Sequence, residues 1–372
     1  MRILFDARVL IGSARHGIAR HTEGVLRALA VDPGRHQYLI LARQPEAVEK
    51  ALAPAGPGSS FELRLFDAGP YSPRGQAGLP GHLLAAKPDL YYSPTYLPPL
   101  FSPCPLAFTI HDLIHLDFPG DYSFSHRLVW RLFIAPRARR AKAILTVSQA
   151  TADRIAGTLG VALERIEVIG NGVGPEFRPR GLKERAAVMK KLELAGPYLV
   201  ALGNPRPHKN LADAVAAFQQ LARQGLYASL VLVGWGEAPL PAGPGRVIQA
   251  QGLDDAELAA LYSGSLAGLF PSLAEGFGLP PLEALACGCP VVASDLPVMR
   301  EVLGPEGAEF VPPADVSALA KAVAGLADDP QQAKAKAEVG LAGAARHNWA
   351  EAAGRLRALF DRLEPDIENK GS

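Results

Sequence analysis

The feature that most constrains this chain is its rhythm: apolar runs only a few residues long alternate with longer amphipathic segments along nearly the whole length. The first series of runs is Ile3–Phe5, Tyr38–Leu41, Phe61–Phe66, Leu90–Tyr92, Ala107–Ile110, Ile144–Val147 and Glu167–Ile169. A second series follows: Tyr198–Leu202, Ser229–Val233, Arg246–Gln249, Gly268–Phe270, Pro290–Ala293 and Glu309–Val311. Apolar strands separated by helices predict parallel sheets covered on both faces. Helix starts are marked where the pattern needs them, by Ser148 as an N-cap and by Asp254 with Glu257 as a capping box. Between the two series lie Asn171-Gly172, Gly174-Pro175 and Pro179, which is turn and linker chemistry. The expectation is an α/β protein of two Rossmann-like doubly wound domains, 1–178 and 179–348, facing across a cleft. A C-terminal helix from Trp349 to about Leu363, with no strand after it, then packs back toward the first domain, and a tail completes the segment 349–372. A length of 372 residues suits two such cores.

Composition narrows the function. Hydrophobic residues make up 48% and charged residues 20%, so the chain packs as a globular protein. A net charge of +1 gives no overall pull toward nucleic acid, and an anionic ligand must be held by a local cluster. Cys104, Cys287 and Cys289 make neither a disulfide framework nor a zinc site, and read as small buried residues. Arg2, Asp6 and Arg8 interrupt any apolar signal core, and the longest uncharged run, Leu90 to Ile110, carries Pro94, Pro98, Pro99, Pro103 and Pro105. A soluble protein of the reducing cytoplasm is expected.

In doubly wound sheets ligands sit just beyond the carboxyl ends of the strands, which directs attention to four loops. The first is Glu275-Gly-Phe-Gly-Leu-Pro-Pro-Leu-Glu283. Gly276 and Gly278 let backbone approach a ligand, and the helix that opens there offers N–H groups to a phosphate or sugar oxygen. The alternative is a glycine-rich turn in which Glu283 only helps the helix N-terminus. The second is Gly203-Asn-Pro-Arg206-Pro-His-Lys209-Asn, where Arg206 and Lys209 suit a diphosphate. A lysine at a helix start is otherwise unfavourable. The third is His111-Asp112, in which Asp112 either orients His111 or caps the next turn. The fourth follows the first strand and holds Gly12, Gly17, Arg15, His16, Arg20 and His21, a basic loop that either meets a ligand or lies exposed. The segment 127–142 adds Arg127, Arg131, Arg137, Arg139, Arg140 and Lys142 with no acidic residue among them, and Val129, Trp130, Leu132 and Phe133 interleaved. It is expected to be helical with a break near Pro136. It fits either a peripheral membrane surface or a partly buried helix whose arginine stems cover apolar area.

The run E-G-F-G-L-P-P-L-E-A-L-A-C-G-C-P-V-V-A-S resembles the signature of retaining glycosyltransferases of family four, which have the GT-B fold. M-R-I-L-F-D-A-R, H-G-I-A-R-H-T, F-T-I-H-D-L-I, V-S-Q-A-T, V-I-G-N-G-V and G-N-P-R-P-H-K-N are similar, in the same order, to that family's mannosyltransferase-like branch. The resemblance implies that Glu275 contacts the donor sugar and Glu283 binds the ribose. It makes 1–178 the acceptor-side domain and 179–348 the nucleotide-sugar-binding domain, and places His111 near the transferred sugar, with Arg206 and Lys209 on the diphosphate. It further puts Gly12, Gly17, Gly203, Gly276, Phe277, Gly278 and Leu279 at the donor, and seats the base at Gly252 and Leu253. Pro205 stands where the family commonly has a basic residue, so the split of duties between the two cations is this chain's own.

The reaction expected is transfer of a hexose from a nucleoside diphosphate sugar, with GDP-mannose or a related GDP-hexose first, to a hydroxyl of a polysaccharide or lipid-linked glycan. Retention and front-face attack are implied by the family, and no separate cofactor or metal is expected, since no D-x-D pattern occurs and two cations are at hand. The alternatives are a nucleotide-sugar epimerase of the same fold and a non-catalytic sugar-nucleotide-binding protein. A dehydrogenase is disfavoured because no G-x-G-x-x-G follows the first strand.

Overall fold

The computed structural model describes residues 1–12, 17–56, 58–97, 99, 101–121 and 128–368. All thirteen runs form strands: β1 (Arg2–Asp6), β2 (Gln37–Ala42), β3 (Phe61–Leu65), β4 (Leu90–Ser93), β5 (Leu106–Thr109), β6 (Ala143–Thr146), β7 (Ile166–Val168), β8 (Tyr198–Leu202), β9 (Ser229–Val233), β10 (Arg246–Ala250), β11 (Ala267–Phe270), β12 (Val291–Ser294) and β13 (Glu309–Val311). They build two parallel sheets, β3-β2-β1-β4-β5-β6-β7 and β10-β9-β8-β11-β12-β13. Each is doubly wound. Strand order reverses between β1 and β4 in the first and between β8 and β11 in the second, so loops leaving those carboxyl ends diverge and open a crevice.

The chain divides into two compact units, Met1–Gly172 with Asn348–Ser372, and Val173–His347. The turn-rich stretch after Gly172 is held by the second unit, earlier than the composition break near residue 178. There the Val173 N–H donates to the His347 carbonyl (3.0 Å), Phe177 is buried, and the Arg180 N–H donates to Ser263 Oγ (3.0 Å). The helix Trp349–Glu368 belongs to the first unit's core. Ala353, Leu356, Leu359, Phe360 and Leu363 pack with Val25, Leu26 and Leu29 of the helix Gly17–Val31 and with Ile3, Phe5 and Tyr92 of the sheet. The second unit's core lies between β8, β9, β11 and β12 and the helices Leu211–Arg223 and Val316–Asp328. Both expected caps form: the Thr151 N–H donates to Ser148 Oγ, and Asp254 and Glu257 make a reciprocal capping box.

The described part of the basic segment is helical with an interruption close to Pro136, as its sequence suggests. Its break lies before Pro136: Trp130–Ile134 is a π-helical turn, and Pro136 sits harmlessly in the first turn of the helix Ala135–Arg140. A proline ring crowds the carbonyl four residues earlier, and widening the preceding turn relieves that crowding. Trp130 and Ile134 are buried, while Leu128, Val129, Leu132 and Phe133 are exposed beside exposed Arg131, Arg139 and Arg140. Arg137 donates to the Pro99 and Phe133 carbonyls, and Arg139 to the Leu159 carbonyl. Arg127 lies outside the described residues. No helix among the described residues is long and apolar enough to cross a membrane.

Candidate active site

In the second unit the two loops at the reversal point are the two that the sequence singles out. The chain leaving β8 makes a tight turn, Pro207–Lys209, and that leaving β11 runs through Ser272 to Gly278. A backbone hydrogen bond, Leu273 N–H to the His208 carbonyl (2.7 Å), ties them together. Across this seam Lys209 Nζ donates to Glu275 Oε1 at 2.6 Å, and Ser272 Oγ donates to the same oxygen at 2.8 Å. Glu275 Oε2 has no hydrogen-bond partner among the described residues. The pair is shielded but not sealed, with side-chain exposures of 17% for Lys209 and 9% for Glu275. Gly203 makes room for this arrangement, since a Cβ there would lie 3.2 Å from Lys209 Cβ. Arg206 is exposed at the start of the same turn.

Gly276 and Phe277 are buried and lead into Gly278, whose φ of +90° only glycine adopts without strain. A Cβ on Gly278 would also stand 3.0 Å from Met299 Sδ. The helix Leu279–Ala286 starts there, with Pro280 and Pro281 in its first turn. Two of the four positions that would present unpaired N–H groups therefore carry none, and Gly278 and Leu279 are left to supply them. The helix start thus presents fewer N–H donors than its glycines suggest. Glu283, one turn further in, is 4% exposed. Gly252, at φ +64°, and Leu253 follow β10, which β9 separates from β8, so they stand two strands from Lys209. Burial pushes the Cys289 thiol up to about 12 and the Cys287 thiol higher still, as befits packed, unreactive sulfurs.

In the first unit, His111 leaves β5 and donates Nε2–H to the Pro94 carbonyl at 2.8 Å, which fixes the ring. Asp112 caps the following turn, its Oδ1 accepting from Ile114 N–H (3.1 Å). His21 is not part of an exposed basic loop. It is fully buried on the helix Gly17–Val31, its Nδ1 lies 2.7 Å from Asn171 Oδ1, and its ring meets that of His111 edge-on at 4.7 Å. Burial first, then the neighbouring His111, lowers its pKa to about 3, so it is neutral. Gly12 has φ +49° and donates its N–H to Gln44 Oε1 (2.6 Å), while Gly17 is the exposed first residue of its helix. Arg15 and His16 lie outside the described residues, and Arg20 is half-buried.

Sequence reasoning missed the residues that hold these loops. Ser272 shares Glu275, and its only signal is a position three residues ahead of a carboxylate. Beyond β1, a buried network joins Asp6, Arg8 and Tyr91. Arg8 donates twice to the Asp6 carboxylate (2.8 and 2.7 Å), Tyr91 Oη donates to Asp6 Oδ2 (2.6 Å), and Arg8 also reaches the Ala68 and Gly75 carbonyls. The Arg2, Asp6 and Arg8 that interrupt the apolar start of the chain hide that last role.

Known proteins resemble both halves. Residues 15–177 match the family model described as Glycosyltransferase Family 4, and residues 196–329 match that described as Glycosyl transferases group 1. The O-antigen chain mannosyltransferase RfbU of Salmonella typhimurium is 31% identical over 232 residues, covering 60% of this chain and 61% of that protein. The serotype-specific mannosyltransferase WbdA of Escherichia coli is 27% identical over 411 residues, covering 98% of this chain. The chain spans only about half of WbdA's length, 48%. Among solved structures, Anabaena HepE in complex with UDP-glucose superposes with a TM-score of 0.72 at 18% identity, over 98% of this chain and all of that one. The two doubly wound sheets are those of the GT-B fold.

Proposed function

Because the chain belongs to the family 4 glycosyltransferases, in their mannosyltransferase-like branch, we propose that it transfers a hexose from a nucleoside diphosphate sugar to a hydroxyl, with retention at the anomeric carbon. One observation carries the reading. Lys209 and Glu275, an anion binder and a hydroxyl binder, meet at 2.6 Å on the two loops of a reversal point, where such sheets bind nucleotides. The Lys209 ammonium has three N–H donors and uses one in its hydrogen bond to Glu275, which leaves others for phosphate oxygens. Glu275 Oε2 then accepts from a sugar hydroxyl and Glu283 from the ribose.

The reaction breaks the anomeric C–O bond to the diphosphate and forms one to the acceptor oxygen on the same face. The acceptor's proton passes to the departing phosphate. Negative charge grows on that phosphate as the bond breaks, so Arg206 and Lys209 bind the transition state more strongly than the ground state. Two side-chain cations do the work a divalent ion does elsewhere, and turnover should persist in chelator. GDP-mannose is the preferred donor, by likeness to the mannosyltransferases. The acceptor is a polysaccharide or a lipid-linked glycan, reached in the latter case with the exposed Leu132, Phe133 and Arg131 face at a cytoplasmic membrane surface.

The test is a panel of GDP-, UDP- and ADP-sugars scored first by thermal stabilisation and then by NMR of the product linkage. Stabilisation by a GDP-hexose and an anomeric configuration matching the donor are expected. A free epimerised sugar nucleotide formed without acceptor would replace this reading with the epimerase, and stabilisation by none of the panel would remove it.

A further inference from the structure

The carboxyl end of the first sheet holds a second feature, built from aromatic rings. Strand order reverses between β1 and β4, so the crevice there is the first unit's counterpart of the Lys209–Glu275 seam. Two tyrosines stand at it. Tyr96 follows β4 by three residues. Tyr71 comes from the loop after β3, and that loop is drawn over the reversal point by Arg8, which bonds the Ala68 and Gly75 carbonyls on either side of it. The two rings lie 5.9 Å apart at 38°, and Tyr96 in turn stacks on the buried His115 at 6.2 Å and 15°.

Tyr71 is 46% exposed, yet it is not a loose surface side chain. Its ring packs against that of Tyr96, and its hydroxyl lies near the buried Thr95 side chain, which is tied to Ser93 Oγ at 3.0 Å. Burial of the phenol group, with the nearby Tyr96, Asp6 and Asp112, pushes its pKa up, so it stays neutral. A large aromatic side chain held against a second ring has already lost part of its conformational freedom while its face is left in water. That arrangement suits a ligand with a flat apolar face and polar edges.

We propose that Tyr71 and Tyr96 form a stacking subsite for a pyranose ring, the acceptor sugar, with its C–H face on Tyr71. The proposal rests on the glycosyl-transfer reading only for the word acceptor; the subsite itself is a property of the first unit. Tyr71 sets affinity and orientation for the sugar and leaves the nucleotide untouched.

The experiment is saturation-transfer NMR on the full chain with methyl α-mannopyranoside, methyl α-glucopyranoside and methyl α-galactopyranoside, titrated for affinity. GDP and UDP binding are measured in parallel, and near-UV circular dichroism checks the fold. Saturation should concentrate on the ring protons of one sugar face. Tyr71→Ala should weaken the bound glycoside by about fivefold or more, and Tyr71→Phe, which keeps the ring, by no more than about twofold. Both should bind nucleotide as the wild type does. Wild-type sugar affinity in Tyr71→Ala, or no saturation of any of the three glycosides by the wild-type protein, overturns the proposal. Loss of nucleotide binding in the wild type with sugar binding intact would instead count against the transferase reading alone.

Discussion

Lys209 and Glu275 pair at 2.6 Å, and that pairing governs what substitution of either should do. Arg206→Ala and Lys209→Ala should each lower turnover by about 10²–10³, by analogy with loss of one preorganised donor to a developing anion. The double variant should lose much less than the product of the two, because both act on one leaving group. Steady-state kinetics with melting temperature as control decide it, and near-normal turnover in either single variant would sink the assignment. His21 makes a different prediction. Its folded pKa of about 3 lies below the ordinary 6.5, so between those values the unfolded chain holds a proton that the folded chain does not. Stability therefore falls as pH falls through that window. In His21→Asn the slope of unfolding free energy against pH near pH 5 should be shallower by about 1.4 kcal/mol per unit. Parallel urea titrations in the two proteins would show that His21 does not titrate on unfolding. Single residues were unevenly legible. The types at 206, 209, 275 and 283 mark these loops as candidates, and the structure brings Lys209 and Glu275 together. Nothing local marks His21 as a buried histidine, since its surroundings come from Asn171 and His111, far off in sequence.

Elements were the most legible level. Every strand formed within a residue of its run, because an inner strand buried on both faces must be apolar throughout and the turns around it must not, while the edge strands β3 and β10 keep polar residues among their apolar ones. The loops that position the site were not legible in that way. Their shape depends on contacts such as Leu273 to His208 and on two prolines that remove donors from a helix start. The segment 128–142 shows both sides: its helical character and basic face are in the sequence, but the π-helical turn that splays Leu132 and Phe133 into solvent is not. If that face meets anionic lipid, the attraction is ionic and exposed, hence screened over about 8 Å at physiological salt. Binding to phosphatidylglycerol vesicles should fall as salt rises, and Arg131→Glu with Arg140→Glu should weaken it several-fold further. Unchanged vesicle sedimentation in that double variant would remove this surface from consideration.

Taken whole, the molecule is two doubly wound units, one continuous and one assembled from both ends of the chain. The repeat of the strand pattern announces two halves. That the final helix lies in the first half's core follows from its apolar stripe only once a partner stripe on the helix Gly17–Val31 is known. Leu356 is fully buried in that contact, and Leu356→Ala should cost roughly 2–5 kcal/mol. The loss should be local to one unit. Hydrogen exchange should quicken across β1 to β7 while residues 173–347 keep their protection and the nucleotide still binds; uniform quickening would mean the two units unfold as one. The same interleaving has a temporal side. On the ribosome, residues 1–172 emerge first but lack the helix that closes their core until Trp349 and its successors are made. At about 5–20 residues per second that is a wait of roughly ten to thirty-five seconds. The second half, contiguous in sequence, can finish first. During that interval the apolar faces of Val25, Leu26 and Leu29 are open to whatever they meet, so the nascent chain should be a client for chaperones that shelter exposed helices, and its folding order should run against its order of synthesis.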